Sequence, residues 1–230
     1  MLVDTQTAAP HRAAHIVWDW NGTLLHDTDV VVESVNACLA VFEAGPITVE
    51  RYRDEYCVPI PRFYQRLLGR ELSGPEWERL DGAFQRHYAQ HAGRAALTEG
   101  ATDLLLSWQR AGHTQSLCSL ALHDQLTPLV TRLGIAGHFT RVDGSTGEGN
   151  RTGKAEQMAR HLAALGSVPP ERTVVIGDAT DDALAARHIG AHAVLYTGGS
   201  HSRRSLQRAG APVVDSLADA VALAAELGGV

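Results

Sequence analysis

Lysine is almost missing from this chain: of twenty cationic side chains only Lys154 is a lysine. Heavy arginine and alanine usage explains most of that scarcity. Even so, a compact ammonium and a planar guanidinium are not interchangeable at a phosphate, which singles out this one position. Cysteine is equally sparse. Cys38, Cys57 and Cys118 are odd in number and lack CxxC spacing, which argues against a disulfide framework or a zinc site and for reduced thiols in a reducing compartment. No apolar run is long enough to cross a bilayer, and Met1 to Ala14 has neither a basic start nor a hydrophobic h-region, so a cytoplasmic protein is expected, with no membrane partner. A net charge of -6 with dispersed arginines leaves no basic stripe, which argues against nucleic acid.

What is present is an ordinary folded composition, with 44% hydrophobic and 20% charged residues over 230 positions, enough for a core domain and a modest insertion. The segment His15-Ile-Val-Trp-Asp19 reads as a buried parallel strand running into an aspartate, then a Gly22-Thr23 turn. From about Asp27 to Arg94 the pattern is helical only. Thr28 to Glu43 carries Val31, Val35, Leu39 and Phe42 at helical spacing and meets a stop at Gly45-Pro46. Ser73-Gly-Pro-Glu76 has the form of a capping box, opening a helix whose Trp77, Leu80, Phe84 and Tyr88 share one face and are read as packing residues.

After Arg94 an α/β alternation resumes. Helices are predicted at Ala101 to Arg110, Gln125 to Leu133, after Lys154, and at Asp182 to Ile189. Strands are predicted at Thr114 to Ser119, Phe139 to Val142, Thr173 to Ile176, Ala193 to Tyr196 and Val213-Val214. The fold class is therefore α/β: a doubly wound parallel sheet with a small α-helical cap. The division expected is a loose segment 1–14, a Rossmann-like core made of 15–26 with 95–230, and a helical cap 27–94; the final Gly-Gly-Val also reads as loose.

Four segments carry chemistry. Asp19 ends the first strand. Ser119 ends a later one, where its hydroxyl and the N–H groups of Leu120 and Ala121 suit phosphate oxygens, although a strand-ending serine alone is more often a turn residue. Lys154 opens a helix, where cation and helix N-terminus together favour an anion, with Arg151 as a second candidate. Val174-Val-Ile-Gly-Asp178-Ala-Thr-Asp-Asp182 gathers carboxylates after an apolar strand; unpaired they repel and ask for a hard cation such as Mg²⁺, and standing alone the segment would be an acidic turn capping a helix.

Taken in order, Asp19-Trp-Asn-Gly-Thr23, Ser119, Lys154 and Gly177-Asp178 with Asp182 resemble the signatures of the haloacid dehalogenase superfamily. The helical insertion resembles the subgroup that includes phosphoglycolate phosphatase. The resemblance implies Asp19 as nucleophile, Ser119 and Lys154 as phosphate-binding catalytic residues, and Mg²⁺ held by Asp19, Asp178, Asp182 and the backbone carbonyl of Asn21, with Asp181 a less certain neighbour. It also implies a small phosphorylated metabolite as substrate; Gly22, Thr23, Leu120 and, by its nearness to Asp19 along the chain, His26 are expected beside it, and a monomer or homodimer is expected. Arg62, Tyr64 and Arg66 are candidate readers of that substrate or simply a solvated helix face.

The departure is Asn21, where the family has an acid that protonates the leaving alcohol and activates water. A carboxamide cannot exchange that proton. Three consequences are open: good leaving groups such as acyl or aryl phosphates, a substitute base among His26, His87 and His91, or little turnover. A phosphatase is the leading expectation, with a phosphomutase or a non-catalytic domain binding a phosphorylated ligand or protein partner as alternatives. A Schiff-base phosphonate hydrolase is excluded because 27–94 contains no lysine, and a metal-free dehalogenase fits the carboxylate turn poorly.

Overall fold

In the computed structural model, which describes residues 13–146, 153–166 and 168–230, the first strand, β1 (His15–Trp18), is the centre of the sheet. It is paired in parallel on one side with β4 (Thr114–Leu122) and on the other with β6 (Thr173–Gly177). Four consecutive buried residues and two parallel neighbours are what an apolar strand covered on both faces requires. The complete order is β5-β4-β1-β6-β7-β8, with β5 Val142–Ser145, β7 His192–Tyr196 and β8 Val213–Val214. The chain moves outward from β1 to β4 and β5, then crosses to β6, so the switch in strand order lies at β1, beside which open α/β sheets bind ligands.

Alternation along the central strands divides the core. Ile16, Trp18, Val174 and Ile176 face one layer with Leu105 and Ala224, while Val17, Val175 and Cys118 face the other with Met158 and Ala185. Helices α5 (Ala101–Arg110), α6 (His123–Arg132), α7 (Ala155–Leu165), α8 (Thr180–His188), α9 (Arg203–Gln207) and α10 (Leu217–Leu227) complete the α/β part. No helix among the described residues is long and apolar enough to cross a membrane.

Between β1 and α5 lie α1 (Thr28–Val41), α2 (Val49–Glu55), α3 (Ile60–Leu68) and α4 (Gly74–His91), which enclose a separate cluster around Val35, Leu39, Phe63, Tyr64 and Leu80. A two-stranded antiparallel ribbon, β2 (Leu25–His26) with β3 (Ala96–Leu97), joins the two chain crossings at the base of this insertion. In α4, Glu76 accepts from the backbone N–H and hydroxyl of Ser73, as the capping pattern predicted.

Several boundaries differ from expectation. Helix α1 ends at Val41, and Glu43 adopts φ 54, so the reversal precedes Gly45-Pro46. Strand β4 runs on to Leu122, with a register shift against β5 between Cys118 and Leu122, so Ser119 lies inside a bulged strand rather than at its end. Strand β5 lies three residues later than predicted. Helices α9 and α10 and the β2/β3 ribbon were not predicted, because two-residue strands and a short or alanine-rich helix give little periodic signal. The final Gly-Gly-Val packs back, with the Val230 N–H donating to the Ala225 carbonyl. The expected loose segment 1–14 and Arg151 fall mainly outside the described residues, although Ala14 is fully buried.

Buried behind the sheet is a continuous polar chain. The carboxylate of Asp143 faces Nδ1 of His161 at 2.7 Å, which fixes that nitrogen as the protonated one. His161 Nε2 then accepts from the Ser116 hydroxyl at 2.8 Å, Ser116 Oγ accepts from His15 Nε2 at 2.8 Å, and His15 Nδ1 accepts from Thr114 at 2.7 Å. This order satisfies every group only with both imidazoles neutral. Burial, with His161 close by, holds His15 down to about 4, and burial also lowers His161 despite Asp143. An unfolded histidine binds its proton near pH ~6.5, so the native state carries fewer protons below that pH and loses stability as pH falls toward about 4. For His15, 2% exposed, the loss amounts to about 3 kcal/mol. Denaturant unfolding of wild type and His15→Gln at pH 7.5, 5.5 and 4.5 is expected to show the variant's stability falling less across the series. Identical pH slopes would contradict a neutral buried His15.

Candidate active site

Strand register brings the site together. Trp18 is level with Leu117 and Ile176, so Asp19 and Asp178 emerge just past the carboxyl ends of β1 and β6, and Ser119 lies beside them, one or two residues further along in the bulged part of β4. The Asp19 N–H donates to the Ile176 carbonyl at 2.8 Å, which extends the sheet one residue past β1 and fixes the aspartate backbone.

Lys154, 2% exposed at the start of α7, reaches across to this edge. Its ammonium donates to Asp19 Oδ1 at 2.5 Å and to Asp182 Oδ1 at 2.7 Å, while its backbone N–H donates to Asp181 Oδ2 at 2.8 Å. Burial alone would lower the lysine, but Asp182 and Asp19 hold it well above its ordinary value, so it stays charged. Asp182 also accepts from the Ala179 N–H at 3.0 Å, capping α8 while holding the lysine.

Asp178 is buried and accepts from the Thr23 hydroxyl at 3.1 Å and the Ser200 N–H at 2.5 Å. Two glycines make room for it: a Cβ on Gly22, where φ is +73°, would lie 2.6 Å from Asp178 Oδ2, and one on Gly199 would lie 2.1 Å from it. Carboxylate oxygens of Asp19, Asp178 and Asp182 lie within 4.8 Å of one another. Burial pushes Asp19 well above the usual carboxylate range against the pull of Lys154, and burial with Asp182 raises Asp178. Three clustered carboxylates against one ammonium leave the site short of positive charge, and an all-oxygen donor set of this kind suits a hard divalent cation.

Asn21 sits in a closed hydrogen-bond triangle. Its Nδ2 donates to Asp27 Oδ2 at 2.6 Å and to the Tyr88 hydroxyl at 2.8 Å, and Tyr88 donates to Asp27 Oδ2 at 2.7 Å. The Gly22 N–H occupies the other Asp27 oxygen at 2.9 Å. Both amide hydrogens of Asn21 are thereby used, which leaves its carbonyl oxygen as the group it can offer a ligand. Asp27 and Tyr88 escaped the sequence reading: Asp27 entered it only as the start of the helical segment, and Tyr88 lies on the face assigned to packing. Each lines the same cavity as Asp19, Asn21, Lys154 and Asp178.

Of the residues expected at the substrate, Gly22, Ser119 and Leu120 line that cavity. The Ala121 N–H, expected to be free for phosphate, donates to Ser119 Oγ at 3.1 Å. Thr23 is fully buried and serves Asp178 rather than the cavity. His26 is exposed and outside the cavity, because the β2/β3 ribbon turns it to solvent. His87 bonds the Ser34 hydroxyl at 3.0 Å and stacks on His91, and neither lines the cavity, so none of the three candidate bases faces it. Arg62 and Arg66 are exposed and outside it, whereas Tyr64 lines it.

A contact between the insertion and the α/β part that the sequence did not suggest runs through α2. Arg53 donates from Nε to the Gly199 carbonyl at 2.9 Å and from Nη2 to that of Gly198 at 3.1 Å, and Tyr56 packs edge-on against His201 at 5.0 Å. The loop that serves Asp178 through Ser200 is thus held by the insertion.

Comparison with known proteins gives the family and the fold. The chain is 25% identical over 211 residues to phosphoglycolate phosphatase 1 of Pseudomonas aeruginosa, covering 89% of this chain and 77% of that protein. It is 26% identical over 211 residues to the phosphoglycolate phosphatase of Caulobacter vibrioides, covering 88% and 86%. Among solved structures, a predicted phosphatase from Clostridium acetobutylicum superposes with a TM-score of 0.80 at 17% identity, over 93% of this chain and 99% of that one. Residues 13–190 match the family model for haloacid dehalogenase-like hydrolases, and with that span, the central Asp19 and the lysine-linked carboxylates, the chain belongs to the haloacid dehalogenase-like hydrolase family.

Proposed function

We propose that the protein is a Mg²⁺-dependent phosphatase that hydrolyses a small phosphomonoester through an aspartyl phosphate on Asp19, with residues 27–94 acting as a cap over a core of 15–26 and 95–230. The observation that carries this is the pairing of one buried ammonium with Asp19 and Asp182 beside Asp178. A pure binding domain has no need of a strand-end carboxylate aimed into a cleft among other carboxylates. The curated relatives, named as phosphoglycolate phosphatases, support the same class of substrate.

Asp19, Asp178 and Asp182, with the Asn21 backbone carbonyl, would hold Mg²⁺, which when bound supplies charge neutralisation at the phosphoryl oxygens. Lys154 holds the nucleophilic carboxylate in place and offsets charge that builds up during transfer. Ser119 and the backbone beside it receive phosphoryl oxygens once the Ala121 N–H exchanges its bond to Ser119. A bond forms from an Asp19 carboxylate oxygen to phosphorus as the ester oxygen–phosphorus bond breaks, and the leaving oxygen keeps the pair and takes a proton from solvent. Water then attacks phosphorus, the Asp19 oxygen–phosphorus bond breaks with its pair returned to the carboxylate, and the water's proton passes to solvent or phosphate. Asn21, its amide hydrogens fixed by Asp27 and Tyr88, orients a water or leaving alcohol by accepting a hydrogen bond and moves no proton.

Phosphate release from a panel of phosphomonoesters is expected to require Mg²⁺ and to vanish in Asp19→Asn with the fold intact. Metal-independent release, or full activity in Asp19→Asn, would overturn the reading.

Restoring the family's acid is not a simple exchange here. In Asn21→Asp the new carboxylate faces Asp27 at the 2.6 Å now bridged by an amide hydrogen, so the two must share a proton. The pair Asn21→Asp with Asp27→Asn keeps one donor and one acceptor. Turnover of alkyl phosphates is expected to rise by roughly tenfold or more in the double variant and much less in Asn21→Asp alone. Equal gains in both would show that Asp27 does not govern position 21.

A further inference from the structure

Resting on the phosphatase reading, the structure also speaks to the leaving group. The cavity that begins at Asp19 and Lys154, about 190 Å³, continues into the insertion, where its wall is aromatic and aliphatic: Tyr52, Tyr56, Phe63, Trp77, Phe84 and Val35. All of residues 27–94 are described, so this wall is complete, and it contains no cation. Its ionisable contribution beyond tyrosine is carboxylic, Asp27 and Asp81. Arg53, on α2 beside the site loop, is committed to the carbonyls of Gly198 and Gly199.

A leaving group with its own negative charge, such as the carboxylate of glycolate, would meet Asp81 on this wall and no cation from the insertion. An aromatic ring would instead replace water against rings already arranged edge to face, with Tyr52 and Phe63 5.6 Å apart and Phe63 and Tyr64 5.1 Å apart. Tyr64, 2% exposed, continues this wall with its ring, while its hydroxyl lies beside the buried Cys38 thiol and away from the cavity opening.

Asn21 points the same way. A phenol ionises near pH ~10, far below the ~16 of water and similar hydroxyls, so a phenolate leaves without a proton from the enzyme. We infer that the substrate is an aryl phosphate, whose ring occupies the apolar wall of the insertion while its phosphoryl group meets Asp19 and Lys154. In the step, a bond forms from an Asp19 carboxylate oxygen to phosphorus as the aryl oxygen–phosphorus bond breaks; the pair stays on the phenolate oxygen, which takes its proton from water after release.

The test is binding, separate from turnover: calorimetric titration of the Mg²⁺-loaded protein with phenylphosphonate and with phosphonoacetate, in wild type and in Gln85→Arg, which adds a cation to the wall. Wild type is expected to bind phenylphosphonate at least tenfold more tightly, and the variant to narrow or reverse that ratio. Equal or tighter binding of phosphonoacetate by wild type, or binding of neither, would overturn the inference. Phenylphosphonate preference without turnover of any phosphoester keeps this assignment and removes the catalytic one. Efficient turnover of 2-phosphoglycolate over phenyl phosphate does the reverse.

Discussion

One buried ammonium organises the site. Lys154 lies between Asp19 and Asp182, with its own backbone N–H on Asp181, and so ties the start of α7 to the end of β1 and the first turn of α8. Taking a lysine out of water is costly unless opposite charge lies at contact distance, and removing one member of such a group typically costs roughly 3–5 kcal/mol. The same arrangement leaves more negative than positive charge in the cluster. Burial and mutual repulsion lift Asp19 and Asp178 from the usual carboxylate range, and a bound cation would relieve both. Stability and chemistry are therefore linked at one point: the lysine makes the carboxylates tolerable, and their remaining excess charge makes a metal welcome.

The helical insertion is joined to that point by polar contacts rather than by a shared apolar core. Tyr88 and Asp27 close on Asn21, and Arg53 holds the carbonyls of the loop whose Ser200 N–H serves Asp178. Movement of the insertion would thus be felt both at Asn21 and at Asp178. Polar contacts of this kind can exchange with water, as a closing lid requires. Its inward face is aromatic, so what it offers a substrate is surface and ring edges rather than charge.

Much of this was legible in the sequence because it depends on residue type at strand ends. Asp19, Asp178 and Asp182 follow apolar strands, and Lys154 stood out by the rarity of its kind. The central strands and the longer helices were read from continuous apolar runs and helical periodicity. What escaped was set by contacts distant in sequence. Asp27 and Tyr88, 61 residues apart, become partners only through the packing of α4 on α1. Ser119 was placed at a strand end because the bulge that carries β4 on to Leu122 leaves no local signal. His26 was suggested by nearness to Asp19 along the chain, but a two-residue ribbon turns it outward.

The central claim is that Asp19 is a nucleophile and not simply a carboxylate that holds Lys154. Acid quenching of the Mg²⁺-loaded protein during turnover of an aryl phosphate, followed by mass spectrometry of its peptides, tests it most directly. The account predicts one phosphoryl group on the peptide that carries Asp19, absent from Asp19→Asn. Turnover at full rate with an unmodified Asp19 peptide, or with the phosphoryl group on another residue, would contradict it.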